Sequence, residues 1–268
     1  MGVEPQPAGG SLAEGLAATA LVLLDQHRPG EALPLLERAL LLAPATAPLR
    51  HARARALLAL GRFSEAEATA TAALALYPQL TALLLLRAEA RLAQGAATAA
   101  LDDAAAAVMA EPGSTAAQAL MADALLGLGK FDEAIYLNGL LLRAEPDNVQ
   151  LRLRLAQSFM RGERHAAAEE LLRDIEAQSG SLPLATALRA QNKLVAGEAA
   201  EAERILRLRL NQGVQEAALH SVMAHALVVQ GRVLEAVPHF GLAARLAPEN
   251  SYLASMAMAV GPQPGAPC

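Results

Sequence analysis

One feature constrains the fold of this chain more than any other: its sequence repeats with a period of 34 residues. Aligned on that period, two columns hold alanine in all seven units. The first column is Ala20, Ala54, Ala88, Ala122, Ala156, Ala190 and Ala224, and the second is Ala32, Ala66, Ala100, Ala134, Ala168, Ala202 and Ala236. A fixed period of this length indicates a repeat architecture, in which each unit buries its apolar face by stacking on its neighbours.

Glycine and proline positions divide each unit into two helices. The glycines that fall between the two alanine columns are Gly61, Gly95, Gly129, Gly197 and Gly231, and His27 and Glu163 take that place in the first and fifth units. Glycine ends a helix by accepting a left-handed conformation, and the prolines at 44, 78, 112, 146 and 248 stop the second helix. Alanine on both sides lets the two helices approach closely. Each unit is therefore predicted to be an antiparallel helix pair.

The period and the small-Gly-small-Pro pattern resemble the tetratricopeptide repeat (TPR) family. The segments Gly61–Pro78 and Gly129–Asn148 are the best matches, although the chain lacks the usual Trp and most of the Tyr residues of the first helix. The resemblance covers residues 13–250. It implies an all-α fold, a right-handed superhelical solenoid of antiparallel helix pairs, with the first helices lining the concave face.

The alignment also predicts the domain organisation. Seven units start at residues 13, 47, 81, 115, 149, 183 and 217. Residues 251–260 follow as a capping helix, because the outer face of a terminal unit would otherwise be bare apolar surface. Residues 1–12 and 261–268 are predicted to be disordered tails.

A partner-binding groove is predicted along the first helices, where a polar row runs beside an apolar row. The candidate residues of the polar row are Arg55, Glu89, Asp123, Gln157, Gln191 and His225, and the further candidates are His51, Leu85, Arg154 and Arg161. Such a pair of rows suits an amphipathic helix or an extended peptide laid along the groove. The alternative is that the polar row is a solvated face and the apolar row is partly core.

The function predicted from these features is a non-catalytic scaffold that binds another protein or peptide. The alternative is a substrate-docking or accessory subunit of an enzyme system, such as a glycosyltransferase or oxygenase, or of a secretion or pilus assembly apparatus; that interpretation rests on analogy. A third possibility is self-association through the groove or through the apolar run Leu83–Leu86.

Composition argues against several other classes. A net charge of -5 gives no electrostatic footprint for nucleic acid, and no apolar run is long enough for membrane insertion. Cys268 is the single cysteine, and His220 and His225 are five residues apart, so no metal site and no cofactor are predicted. Adjacent acidic residues such as Asp102 and Asp103 are interpreted as solvated. A cytoplasmic location is expected, and the preference for Arg and Ala suggests a bacterial source.

Overall fold

The computed structural model describes residues 8–44, 46–178, 182–247 and 251–260, and within these ranges the chain forms α-helices joined by short turns, with no strand. In chain order the helices are α1 (Ala8–Asp25), α2 (Pro29–Leu42), α3 (Ala47–Ala59), α4 (Phe63–Leu74), α5 (Thr81–Ala93), α6 (Ala97–Ala110), α7 (Thr115–Gly127), α8 (Phe131–Ala144), α9 (Val149–Arg161), α10 (His165–Gln178), α11 (Pro183–Val195), α12 (Ala199–Asn211), α13 (Ala217–Val229), α14 (Val233–Leu246) and α15 (Ser251–Val260). The predicted all-α fold is confirmed. Across the same four ranges, every helix is too short or too polar to cross a bilayer.

The two alanine columns lie at the centre of the helix pairs. All seven residues of the first column have a relative exposure of 0%, and those of the second column have 0 or 1%. One column is on the first helix of each pair and the other is on the second. Because a methyl group is the largest side chain that leaves the two backbones this close, these positions accept alanine in every unit.

The turn between the helices of each pair has a left-handed residue at the same place in all seven units. The five glycines of this column have φ between 71° and 82°, while His27 and Glu163 adopt φ of 56° and 58°. After Glu163, the amide of Arg164 donates to the carbonyl of Phe159 at 2.8 Å, and after Gly61 the amide of Arg62 donates to Leu57 at 2.9 Å. These bonds close the last helical turn in the same way. The geometry of the turn is therefore kept even where glycine is absent.

The start of α1 differs from the prediction. The helix begins at Ala8, so the prediction that residues 8–12 are disordered is wrong. At the slot where later units have a helix-stopping proline such as Pro44, this segment has Gly10. Glycine keeps its N–H group and can remain within a helix, whereas proline would break it. Residues 1–7 and 261–268 lie outside the described residues.

Helix α15 covers residues 251–260, which the sequence predicts to be a capping helix. Its Leu253 has a relative exposure of 5%. Met256 and Ala257 pack against an apolar cluster that contains Met223 and Phe240. In this position α15 covers apolar side chains of the last helix pair, as a terminal cap does.

The chain divides into two compact units, each of which contains several repeats, and the boundary between them falls within α8. The N-terminal unit comprises residues 1–137 and the C-terminal unit comprises residues 138–268. In the N-terminal unit each helix from α1 to α7 contacts the next, and the first helices α1, α3, α5 and α7 contact one another in order. In the C-terminal unit α9 to α15 contact one another in sequence, and α9, α11 and α13 form the matching row of first helices.

The apolar run Leu83–Leu86 belongs to the core of the N-terminal unit. Leu83, Leu84 and Leu86 have relative exposures of 0, 5 and 8%, and Leu85 is half-buried. The prediction that this run is a surface for self-association is wrong, because the helices that α5 contacts on both sides cover it. Self-association through the first helices stays a prediction.

Candidate functional site

The structure places five of the ten predicted binding residues in each unit. In the N-terminal unit His51 and Arg55 lie on α3, Leu85 and Glu89 on α5, and Asp123 on α7. In the C-terminal unit Arg154, Gln157 and Arg161 lie on α9, Gln191 on α11 and His225 on α13. We call these two sets the N-terminal and the C-terminal first-helix faces. Each is a surface of its own unit.

An ion pair organises one end of the N-terminal first-helix face. The guanidinium of Arg55 donates to the carboxylate of Asp25, the last residue of α1, at 2.7 Å. Both side chains are well exposed, so the pair adds little stability. Burial, and then the nearby charge of Arg55, lowers the pKa of the half-buried His51. His51 is therefore neutral at pH 7 and lies beside a charged pair.

Most side chains in the columns that flank the polar row are buried or half-buried. The apolar row consists of Leu24, Leu58, Leu92, Leu126, Met160, Leu194 and Val228. Leu24 and Leu126 each have a relative exposure of 8%, Val228 is exposed, and the other four are half-buried. Leu85 is also half-buried and packs against the core cluster around Leu84 and Ala107. The interpretation of the apolar row as partly core is therefore correct, and Leu85 offers only part of its side chain to a ligand.

The C-terminal first-helix face combines exposed amides with basic side chains. Gln157, Gln191 and Arg161 are exposed, and Arg154 is half-buried. His225 is already engaged within its own unit. Its Nδ1 donates to the carbonyl of Ser221 at 2.7 Å, which leaves Nε2 to accept from the hydroxyl of Tyr252 on α15 at 3.1 Å.

A buried charge network in the N-terminal unit was not predicted from the sequence. The guanidinium of Arg87 donates to both carboxylate oxygens of Asp103, at 2.6 and 2.8 Å, and Arg91 donates to the same carboxylate at 2.8 Å. Arg91 also donates to Glu67, which accepts from Gln94. Asp103 has a relative exposure of 4%, so its interpretation as a solvated residue is wrong. The sequence does contain one indication that Asp103 is buried, because its column holds apolar residues in four other repeats: Leu35, Leu137, Leu171 and Ile205.

A similar network connects second and first helices in the C-terminal unit. Arg189 donates to Glu169 and to Glu176, each at 2.8 Å, and Thr186 also donates to Glu176. Glu203 has a relative exposure of 8% and accepts from Arg207, Gln230 and Arg232. The carboxylates and guanidinium groups neutralise one another, and within each half of the chain they join helices of neighbouring repeats.

The histidines of the last helix pair bind each other. His220 Nε2 lies 2.9 Å from Gln215 Oε1 and must donate to it, so His220 Nδ1 accepts from His239 Nδ1 at 2.9 Å. Burial lowers the pKa of both histidines. Within the described ranges, no three His, Cys, Asp or Glu side chains come together as a metal site would require.

A depression of about 650 Å³ lies among α2, α3 and α4, away from the first-helix face. Its charged lining is engaged internally, because Arg53 donates to Thr69 at 2.5 Å and lies 3.7 Å from Glu37, and Arg50 donates to the carbonyl of Pro44. The depression is wide, and its charged side chains serve the junction between the first two repeats.

Comparison with known proteins identifies the repeat. Residues 23–90 and residues 120–183 each match a sequence model described as tetratricopeptide repeat. No protein with a curated description matches the sequence significantly.

Solved structures of repeat proteins have a similar fold. A tetratricopeptide repeat protein from Parabacteroides merdae ATCC 43184 is similar with a TM-score of 0.76 and 17% identity, over 94% of this chain and 99% of that one. Pseudomonas aeruginosa pilF is similar with a TM-score of 0.59 and 17% identity, over 82% and 100% of the two chains. For MamA from Desulfovibrio magneticus RS-1 the TM-score is 0.56 and the identity 20%, over 64% and 97%. At these identities the similarity is one of fold.

Proposed function

Because the chain belongs to the tetratricopeptide repeat family, whose repeats generally mediate protein–protein interaction, we propose that it is a non-catalytic scaffold whose first-helix faces bind a segment of a partner protein. One observation carries the proposal. In each unit polar side chains lie on successive first helices and reach the surface, while most side chains in the columns beside them are buried or half-buried. Stacking of the repeats on one another accounts for the burial of the flanking columns.

The spacing of the row suits a peptide backbone. Packed helices lie 8–10 Å apart, so neighbouring members of the row on adjacent first helices are separated by roughly 10 Å. Three residues of a polyproline II helix span about the same distance, at roughly 3.1 Å each, and complete one turn, so every third side chain faces the same side. A partner segment crossing the first helices would therefore present one side chain to each unit, and the amides of Gln157 and Gln191 could pair with its backbone.

Site-specific photocrosslinking tests the proposal directly. A photoreactive phenylalanine placed at Gln157 or Gln191 should crosslink a defined partner protein in cells of the source organism. The same group placed at Glu170 or Asp174, which are exposed on the second helix α10, serves as the matched control. Equal crosslinking from both helices would contradict binding by the first-helix face.

Charge reversal tests the N-terminal first-helix face. The double variant Glu89→Arg and Asp123→Arg should lose the crosslinked partner while its helical content stays unchanged. The variant Asp102→Arg and Glu111→Arg makes the same change in net charge at exposed positions outside the face and should keep the partner. Retention of the partner by the first double variant would exclude Glu89 and Asp123 from the binding surface.

A further inference from the structure

A small apolar cavity opens among α1, α2 and α3 in the N-terminal unit. Its volume is about 240 Å³, and we call it the α1–α3 cavity. Leu36 and Leu49, with relative exposures of 0 and 5%, belong to its lining, and Ala17, Ala43 and Ala52 line it as well. Its lining also includes Leu21, which stands in the same column of the repeat as Arg55 and Glu89.

The cavity arises because three alanines replace larger side chains. One period later, the positions of Ala17, Ala43 and Ala52 are occupied by His51, Tyr77 and Leu86. At that second junction Leu86 is buried, and His51 and Tyr77 are half-buried. The helices pair in the same order at both junctions. In the opposite sense, the buried Leu36 of the lining stands where the second junction has the smaller Ala70. Compared with the second junction, the first therefore lacks the larger side chains at three positions and has a larger one at a fourth.

One charged side chain lies on the lining. Glu14 is exposed and lies one helical turn before Ala17, at the edge of the cavity. Among the described residues no basic side chain forms an ion pair with it. An apolar cavity with a single carboxylate at its edge is complementary to an apolar group that carries a cation beside it.

We propose that the partner segment inserts one large apolar side chain, such as that of Phe, Leu or Met, into the α1–α3 cavity and places an adjacent Lys or Arg on Glu14. The inference rests on the proposed scaffold function and specifies the chemistry of its ligand. Burial of such a side chain in a preformed apolar cavity strengthens binding by on the order of tenfold or more. The cation adds orientation, because it fixes which way the segment runs from the cavity.

Short peptides of defined sequence test this inference by NMR. The probe is Ac-Gly-Phe-Arg-Gly-NH2, and the controls replace Phe by Ala or Arg by Glu. With methyl-labelled full-length protein, the Phe-Arg peptide should shift the methyl signals of Leu36 and Leu49, and either control should bind at least several-fold more weakly. Glu14→Gln should weaken the Phe-Arg peptide and remove its preference over the Phe-Glu peptide.

The next repeat shows which substitutions would fill the cavity, because Tyr77 and Leu86 stand at the positions equivalent to Ala43 and Ala52. The variant Ala43→Tyr with Ala52→Leu installs two of the larger side chains of the second junction and should lose the peptide. Ala106→Tyr adds similar bulk at an exposed position of α6 and should bind normally. If the double variant does not fold, Ala52→Leu alone provides the same comparison.

Two outcomes would overturn the cavity proposal. One is unchanged affinity of the filled variant for the Phe-Arg peptide, and the other is the absence of any methyl shift with that peptide. Neither depends on the photocrosslinking at Gln157 and Gln191. A partner that still crosslinks there while the peptide fails would leave the scaffold function in place and remove the cavity from it.

Discussion

Arg87 on α5 holds the buried carboxylate of Asp103 on α6 through two hydrogen bonds, of 2.6 and 2.8 Å. The hydrogen bond to Asp103 raises the pKa of Arg87. Both oxygens of Asp103 are thus occupied, and Arg91 shares one of them. A buried ion pair adds little stability compared with a well-packed apolar pair. Losing one member, however, leaves the other charge buried without a counterion.

Asp103→Ala is therefore expected to destabilise the N-terminal unit by about 3 kcal/mol, because Arg87 loses its counterion, and Arg91 one of its two, in a place that water reaches poorly. Asp102→Ala is the matched control. Asp102 is adjacent in sequence but exposed, and its replacement should change stability by no more than about 0.5 kcal/mol. Urea denaturation followed by circular dichroism measures both. If the two variants lowered the free energy of unfolding equally, the buried position of Asp103 would not matter for stability.

Asn138 and Ser158 form a polar pair in the core of the C-terminal unit. Both have a relative exposure of 0%, and Asn138 Nδ2 donates to Ser158 Oγ at 2.9 Å. Other units have Leu36, Leu172 or Leu206 in the column of Asn138, and most have alanine in the column of Ser158. Asn138→Leu combined with Ser158→Ala should therefore preserve or raise stability, because both polar groups are removed together.

The single variant Ser158→Ala has the opposite expected effect. It leaves the amide of Asn138 buried and deprives it of its acceptor, at a cost of roughly 1–3 kcal/mol. The melting temperatures of the single and double variants provide the comparison. A double variant that is less stable than Ser158→Ala would indicate that the column does not tolerate leucine at residue 138.

The helices and their buried alanines could be predicted from the sequence because both depend on the period. A helix pair that stacks on copies of itself repeats its close contacts every 34 residues, so an invariant small residue marks a close contact. The left-handed turn was less visible at Glu163, where Gly162 stands one place early. Gly162 has φ of -87°, and it is Glu163 that adopts the left-handed conformation.

The polar contacts could not be predicted because they join residues from different helices. Asp103 meets Arg87, sixteen residues away, and Glu203 meets Arg232, twenty-nine residues away. In the sequence Asp103 is a charge in a column that is mostly apolar in other repeats, and Glu203 shares its column with Glu67 and Glu169. The engagement of His225 by Tyr252 was hidden for the same reason, since it depends on where α15 lies. The α1–α3 cavity depends on three alanines from three helices, which the alignment alone does not bring together.

The histidine pair predicts how stability depends on pH. Burial lowers the pKa of His220 and of His239 from the ordinary 6.5, with His239 and Arg207 respectively adding to the effect. The unfolded chain therefore binds protons at a higher pH than the folded chain. Stability contributed by the neutral pair is fully present above pH 6.5 and is lost as the pH falls from 6.5 through the folded pKa values.

Replacing the pair should flatten this pH dependence. The variant His220→Leu with His239→Ile uses the residue types that Leu84 and Ile205 provide in the same columns. Its melting temperature should fall less than that of the wild type between about pH 7 and pH 5. The pKa of His51 is also lowered by burial, so its part of the pH dependence remains in both proteins. Parallel curves for the two proteins would contradict the assignment of the lowered pKa values to this pair.

Glycine at position 163 is expected to stabilise the fifth unit. A residue other than glycine pays roughly 1–2 kcal/mol for the left-handed conformation, so Glu163→Gly should raise the free energy of unfolding by about 1 kcal/mol after the greater flexibility of glycine in the unfolded chain is counted. The reverse change, Gly197→Glu at the equivalent position of the next unit, should lower it by a similar amount. Gly162→Ala is the control, because it also replaces a glycine of this turn but at a residue that is not left-handed. A φ of -87° suits alanine, so this substitution should not destabilise the protein. Thermal unfolding of the three variants tests the register of the turn: if Gly162→Ala proved the costly change and Glu163→Gly had no effect, the left-handed residue would lie at 162 in solution.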